Sequence, residues 1–209
     1  MVILAHGVCA ALAFVILFPT GGIIIRVLSF PGLIWLHAAI QALSYLIFIA
    51  AAGLGIYFAT QTRQIHKAHP IIGLVLLVVI FFQPILGLLH HFLFKRHARR
   101  VVWSYGHIWL GRIIITLGII NGGLGLQLAN DASRGQIIAY AVVAAIMWLA
   151  YVASAVYGEI KRKRHNKPVG PAAVEKGHRM DNLSGSERSL NGSGDNQNHM
   201  SGGGGARYA

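Results

Sequence analysis

Five stretches of the chain are almost free of charge. Residues 1–25 carry none, and neither do residues 27–62, which hold the breaker Ser29-Phe30-Pro31-Gly32. Residues 68–94 carry none, residues 101–130 only Arg112, and residues 135–158 none. About 20 mostly apolar residues are needed to cross roughly 30 Å of hydrocarbon as a helix. The runs therefore predict helices over 2–27, 33–59, 69–94, 104–128 and 135–158. They are too long and too uniformly apolar for the shorter, alternating strands of a membrane barrel. Pro19 and Pro84 predict kinks, which neighbouring helices in a bundle tolerate. The expected fold class is all-α, an integral membrane bundle of five transmembrane helices.

The character changes at Glu159. Lys161-Arg162-Lys163-Arg164 is followed by Pro168, Pro171 and a stretch rich in Gly, Ser and Asn. Such a segment cannot bury enough apolar surface to order itself. The expected organisation is a transmembrane domain over 1–158 and a basic, then disordered, cytoplasmic tail over 159–209. The glycines at 202–205 read as flexible chain and not as a phosphate loop, since no strand or helix flanks them.

Composition narrows the chemistry. Mean hydropathy is +0.59, and the six acids are Asp131, Glu159, Glu175, Asp181, Glu187 and Asp195. No acid precedes Asp131, which excludes paired-carboxylate catalysis, a carboxylate metal cage and a Ser-His-Asp set over that part of the chain. The single cysteine, Cys9, excludes an internal disulfide and a thiolate-only metal site; it reads as a small packing residue. The formal charge of +12 does not point to nucleic acid, because the basic residues sit at the ends of apolar runs, where membrane topology places them. With the N-terminus on side A, Arg63, Lys67 and Arg134 fall on side A. Arg26, Lys95, Arg96, Arg99, Arg100 and the 161–164 run fall on side B. The excess makes side B, with the C-terminus, cytoplasmic and places the N-terminus outside or in a lumen. No basic segment precedes residues 1–18 to make them a signal peptide. An external domain upstream of Met1 in a longer protein is the expected explanation.

The histidines carry the chemistry. Ionisable residues inside a bilayer are costly and mark function. His6, His37, His69 and His107 each lie near the start of one of four consecutive helices. Because those helices alternate in direction, His6 and His69 share side A, and His37 and His107 share side B. Two facing imidazoles at one depth can take both axial positions of a haem iron, with the two levels about 20 Å apart. Zinc would want four ligands together. Taken singly, each histidine also fits an interfacial anchor or a hydrogen-bonded core residue. Gly55, Gly87 and Gly125 stand at +18 from His37, His69 and His107. That interval is five helical turns, and the glycines are expected to leave room for the porphyrin of the opposite pair. Simple close helix packing is the alternative. His69 is preferred over His66, which lies beside Lys67, although Pro70 biases His69 toward a cap position. His90 and His91 on side B read as interface residues. Trp35, Trp103, Tyr105 and Trp109 read as interfacial belts.

A specific resemblance follows from these residues. His6 with Pro19-Thr20-Gly21 and Arg26, His37 with Gln41 and Gly55, and Lys67-Ala68-His69-Pro70-Ile71-Ile72-Gly73 belong to it. So do Gln83-Pro84, Gly87, His107-Ile108-Trp109-Leu110-Gly111-Arg112 and Asn121-Gly122-Gly123. Over about residues 2–158 the chain resembles the cytochrome b561 family, in particular the membrane module fused to external electron-transfer domains. The resemblance implies a four-helix di-haem core and two haem b groups, with the first histidine paired to the third and the second to the fourth. It implies a transmembrane oxidoreductase of the ferric-reductase type. The donor would be a cytosolic reductant such as ascorbate, and the acceptor ferric chelate, monodehydroascorbate or an N-terminal redox domain. Residues 27–36 hold no basic residue where the family places lysine-rich ascorbate contacts, so the donor stays open, as does a homodimer. Arg112 and Arg26 are candidates to pair with haem propionates; snorkelling to the interface is the other reading. Gln41, Gln83 and Asn121 are candidates for tuning the haems or for bonding helices together. A haem-free transporter and a plain membrane anchor are the competing functional classes.

Overall fold

A computed structural model describes residues 1–97 and 102–165. The predicted tail from 166 onward, and Arg99 and Arg100, lie outside the described residues. Within them the chain is helical and no strand occurs. Five helices are long and apolar enough to cross a membrane, with mean hydropathies between 1.5 and 2.7. They are α1 (Val2–Val27), α2 (Leu33–Gln61), α3 (Ala68–His97), α4 (Val102–Ala129) and α5 (Arg134–His165).

The predicted kink at Pro19 takes the form of a widened turn. Leu12–Leu17 is π-helical and hands over to α-helix at Phe18. Proline lacks an N–H, and its ring clashes with the carbonyl four residues back; a π segment just before it relieves both constraints. The same widening turns Ala13, Phe14 and Val15 fully inward, at 0%, 4% and 3% exposure. Pro84 is carried inside α3.

Ends of helices follow from local chemistry. Gly32, at φ +87°, caps the start of α2 in the left-handed conformation that glycine adopts freely. Ser133 and Gln136 form a reciprocal capping pair at the start of α5, Ser133 N–H to Gln136 Oε1 at 2.8 Å and Gln136 N–H to Ser133 Oγ at 3.2 Å. Sequence reasoning ends this helix at 158, but the structure carries it to His165. Glu159 accepts two hydrogen bonds from Arg162 at 3.2 and 2.9 Å across one turn, which supports the helix where the basic run begins. At the start of α3, His69 is helical despite Pro70, whose missing N–H falls among the first-turn donors that have no helical partner.

The core gathers Ala13, Phe14, Phe18, Phe48, Leu76, Ile80, Ile114, Ile115 and Tyr151. Phe14 packs edge-on against Phe48 with centroids 4.7 Å apart. Outward faces are apolar, as at Leu46, Val78 and Ile146 (64, 61 and 60% exposed), which suits a lipid solvent. α5 joins through long side chains. Tyr140 donates to the Ile119 carbonyl at 2.6 Å, and Trp148 Nε1 to Thr116 Oγ1 at 3.2 Å.

Candidate functional site

The four histidines come together two by two. His6 and His69 have ring centroids 5.7 Å apart at 80°; His37 and His107 are 6.5 Å apart at 84°. Imidazole–metal bonds of about 2.0–2.1 Å put two axial ring centroids roughly 6 Å apart, so both pairs have the span that one iron requires. Among the described residues no three His, Cys, Asp or Glu side chains converge on a bare metal ion. A two-imidazole donor set suits a metal whose other positions are filled by a macrocycle.

Main-chain carbonyls fix the rings. His6 Nδ1–H is held by the Ala51 carbonyl at 2.7 Å, His37 by Gly21 at 2.9 Å and His69 by Asn121 at 2.9 Å. His107 Nδ1 is buried beside the Gln83 main chain, short of full hydrogen-bond geometry. A ring that donates through Nδ1 presents the Nε2 lone pair, the tautomer a metal needs, and its orientation is fixed by the same bond.

The partner carbonyls follow a helical rule that the sequence hides. Ala51 stands at +14 from His37, Gln83 at +14 from His69 and Asn121 at +14 from His107, while Gly21 stands at +15 from His6. Each helix thus presents a histidine at one level and, about 21 Å further along, a main-chain position beside the neighbouring helix's histidine; the carbonyl there seats the ring in three of the four cases. The glycines at +18 complete the pattern. A Cβ on Gly55 would lie 2.6 Å from the His6 ring, on Gly125 2.8 Å from His69, and on Gly87 3.2 Å from His107. The glycines therefore give room to the imidazoles themselves.

A cavity of about 500 Å³ adjoins the side A pair, lined among others by His6, His69, Gly55, Gly118, Gly125 and Tyr140. It is within the size range of cofactor sites.

The two arginines have protein neighbours. Arg112 runs toward the N-terminal end of α4, as helical side chains do. It lies over Trp109 at 4.7 Å and 3.6 Å from Glu159, with its Nε buried and unbonded. Arg26 bonds the Gly22 carbonyl, lies 5.1 Å over Tyr151 and packs on Gly158. α5 thus contributes to the surroundings of both arginines. Gln41 donates to the Phe18 carbonyl at 3.3 Å, the helix-bonding role. His66 is exposed in the α2–α3 turn, and the ring that pairs with His6 is that of His69. His91 stands against Phe92. His90 stacks on His107 with centroids 6.1 Å apart and bonds buried Ser104 at 2.6 Å, contacts its position on α3 did not announce.

Fold and site together define a multi-pass membrane protein carrying paired, half-buried imidazoles, three of them held by main-chain carbonyls. Residues 5–130 match the family model for eukaryotic cytochrome b561. Two Arabidopsis thaliana proteins described as cytochrome b561 and DOMON domain-containing are similar. One is 32% identical over 70% of this chain and 37% of its own length, the other 28% over 76% and 41%. A third, a cytochrome b561 domain-containing protein of the same plant, is 30% identical over 58% of this chain and 49% of its own. No solved structure matches significantly. The chain belongs to the cytochrome b561 family, a class that binds haem b and transfers electrons across membranes. It spans less than half the length of these relatives.

Proposed function

We propose that this chain carries electrons from a cytosolic reductant to an acceptor on the outer or lumenal side, using two haem b groups. His6 and His69 hold one and His37 and His107 the other. The observation that carries this reading is the pair of imidazole couples at 5.7 and 6.5 Å, with Nδ1 of His6, His37 and His69 engaged by main-chain carbonyls. When bound, each haem supplies a reversible one-electron centre. His6 with His69 and His37 with His107 would hold the two groups, about 21 Å apart along the helices, and the apolar core around them would exclude water. Ligand rings fixed by carbonyls move little between oxidation states, which favours transfer over ligand exchange.

The basic residues clustered at the side B ends support an orientation with that side cytosolic. The names of two relatives join the same module to a DOMON domain; a domain of that kind, or a soluble oxidant such as ferric chelate or monodehydroascorbate, is the proposed external partner. Ascorbate is the proposed donor by family, met by side B basic residues outside the stretch 27–36, which holds none. The chain beyond 165 is proposed as a cytoplasmic tail.

A reduced-minus-oxidised absorbance spectrum of the purified protein tests the reading. Soret and alpha bands of b type and a haem-to-protein ratio of two are expected; a ratio of one, or no such bands, refutes it. The glycines give a graded second test. Gly55→Ala and Gly125→Ala must displace a ligand ring and are expected to deplete the side A haem strongly. Gly87→Ala needs a shift of only a few tenths of an ångström and should deplete the side B haem less. Equal haem content in all three variants would contradict that ranking.

A further inference from the structure

Two side-chain amides are buried with an unpartnered polar atom: Nε2 of Gln83 and Oδ1 of Asn121. Asn121 is only 6% exposed. Buried polar groups in proteins nearly always have partners, and bonding between helices, which accounts for Gln41, does not account for these atoms. Their positions are equivalent, Gln83 at +14 from His69 and Asn121 at +14 from His107. Each lies against the glycine one turn past the other helix's histidine. Gln83 Nε2 is 3.8 Å from where a Cβ on Gly111 would stand, and Asn121 Nδ2 is 3.6 Å from that of Gly73. The Asn121 side chain lies beside His69, whose Nδ1–H its main chain accepts; the Gln83 main chain borders His107, and its amide lies by Gly111, one turn from that ring.

The two amides differ in which atom is fully buried without a partner: an acceptor oxygen near the His6–His69 pair, a donor nitrogen near the His37–His107 pair. An iron porphyrin with two neutral axial imidazoles carries one more positive charge when oxidised than when reduced. Fixed dipoles in a low-dielectric interior act strongly on that difference. The negative end of a dipole stabilises the oxidised form, and the positive end stabilises the reduced form.

We propose that Asn121 and Gln83 are positioning residues that set the two redox midpoints separately and in opposite senses. Asn121 lowers that of the His6–His69 site, and Gln83 raises that of the His37–His107 site. This rests on the two-haem reading above. Its test is an optical redox titration of the full chain carrying both haems, together with the electron paramagnetic resonance spectrum of the oxidised protein. Single-haem histidine variants assign each midpoint to its site. Asn121→Leu is expected to raise the side A midpoint and shift only that site's resonance; Gln83→Met is expected to lower the side B midpoint alone. Unchanged midpoints with both haems bound, a common shift of both, or the reverse signs would overturn the proposal. If Asn121→Leu assembles poorly, Asn121→Thr and Asn121→Val replace it. They share a shape and differ in the acceptor, so the Thr variant should show the lower side A midpoint, and equal midpoints overturn the assignment. A wild-type protein that binds fewer than two haems overturns the two-site reading instead.

Discussion

His69→Leu is expected to remove one haem of two and leave the second with its spectrum intact. The ring stands 5.7 Å from that of His6, is fixed by the Asn121 carbonyl and is fitted over Gly125. Leucine keeps the bulk but offers the iron nothing, and a site with one axial imidazole loses both affinity and its six-coordinate spectrum. The pairing makes the result sharper than a single loss. His6→Leu should reproduce the phenotype, and the double variant His6→Leu/His69→Leu should be no worse, because both residues serve one iron. By contrast, His37→Leu/His69→Leu should be free of haem, since it breaks both couples. Haem quantified against protein for the four variants decides the matter. A His6/His69 double variant that lost both haems, or a His37/His69 variant that retained one, would break the assignment.

Gly118→Ala is expected to be the most damaging single methyl in the chain. A Cβ there would overlap the ring of Phe14, and Phe14 is itself only 4% exposed, wedged against Phe18 and Phe48 with centroids 5.3 and 4.7 Å away. The ring has nowhere to retreat, so α1 must move away from α4. Overpacking of this kind costs about 1–3 kcal/mol, a large share of a typical folding margin. Because Gly118 and Phe14 both line the side A cavity, that haem should be the first to be lost. Phe14→Leu, which trims the ring, should recover part of the loss in the double variant. Thermal unfolding in detergent, followed by helical circular dichroism, gives the coupling between the two sites. Additive effects of Gly118→Ala and Phe14→Leu would show that the clash is not the cause.

The spans were legible because one rule, continuous apolar length, outweighs all others in a membrane. The histidine couples were legible for a related reason. Antiparallel helices of matched length convert positions near helix starts into positions at one depth. What the sequence did not disclose rests on atoms without side-chain identity. The carbonyls of Gly21, Ala51 and Asn121 leave no trace in composition, though the +14 interval was available beside the +18 that drew attention to the glycines. The π segment at Leu12–Leu17 has no compositional signal beyond Pro19. Glu159 as partner of Arg112 was hidden by its place in a run that resembles a solvated tail. The helical span 159–165 was hidden by the same run. His90 looked like an interface residue, because its stacking on His107 depends on the crossing of α3 and α4 and not on either alone.

The +14 interval has a further consequence for how this chain tolerates changes of length. A single insertion between His69 and Gln83 would rotate everything beyond it by about 100° and advance it by about 1.5 Å. His69 could keep its register with one level only if Gln83 and Gly87 turned away from the other, so that one change could not leave both ends of the molecule intact. The same holds for the interval from His107 to Asn121 and Gly125. Insertions in the α1–α2 linker at 28–32, or in the α2–α3 turn at 62–67, would leave every such interval intact. Natural length variation should therefore collect in those connections and be absent from the middle of the spans.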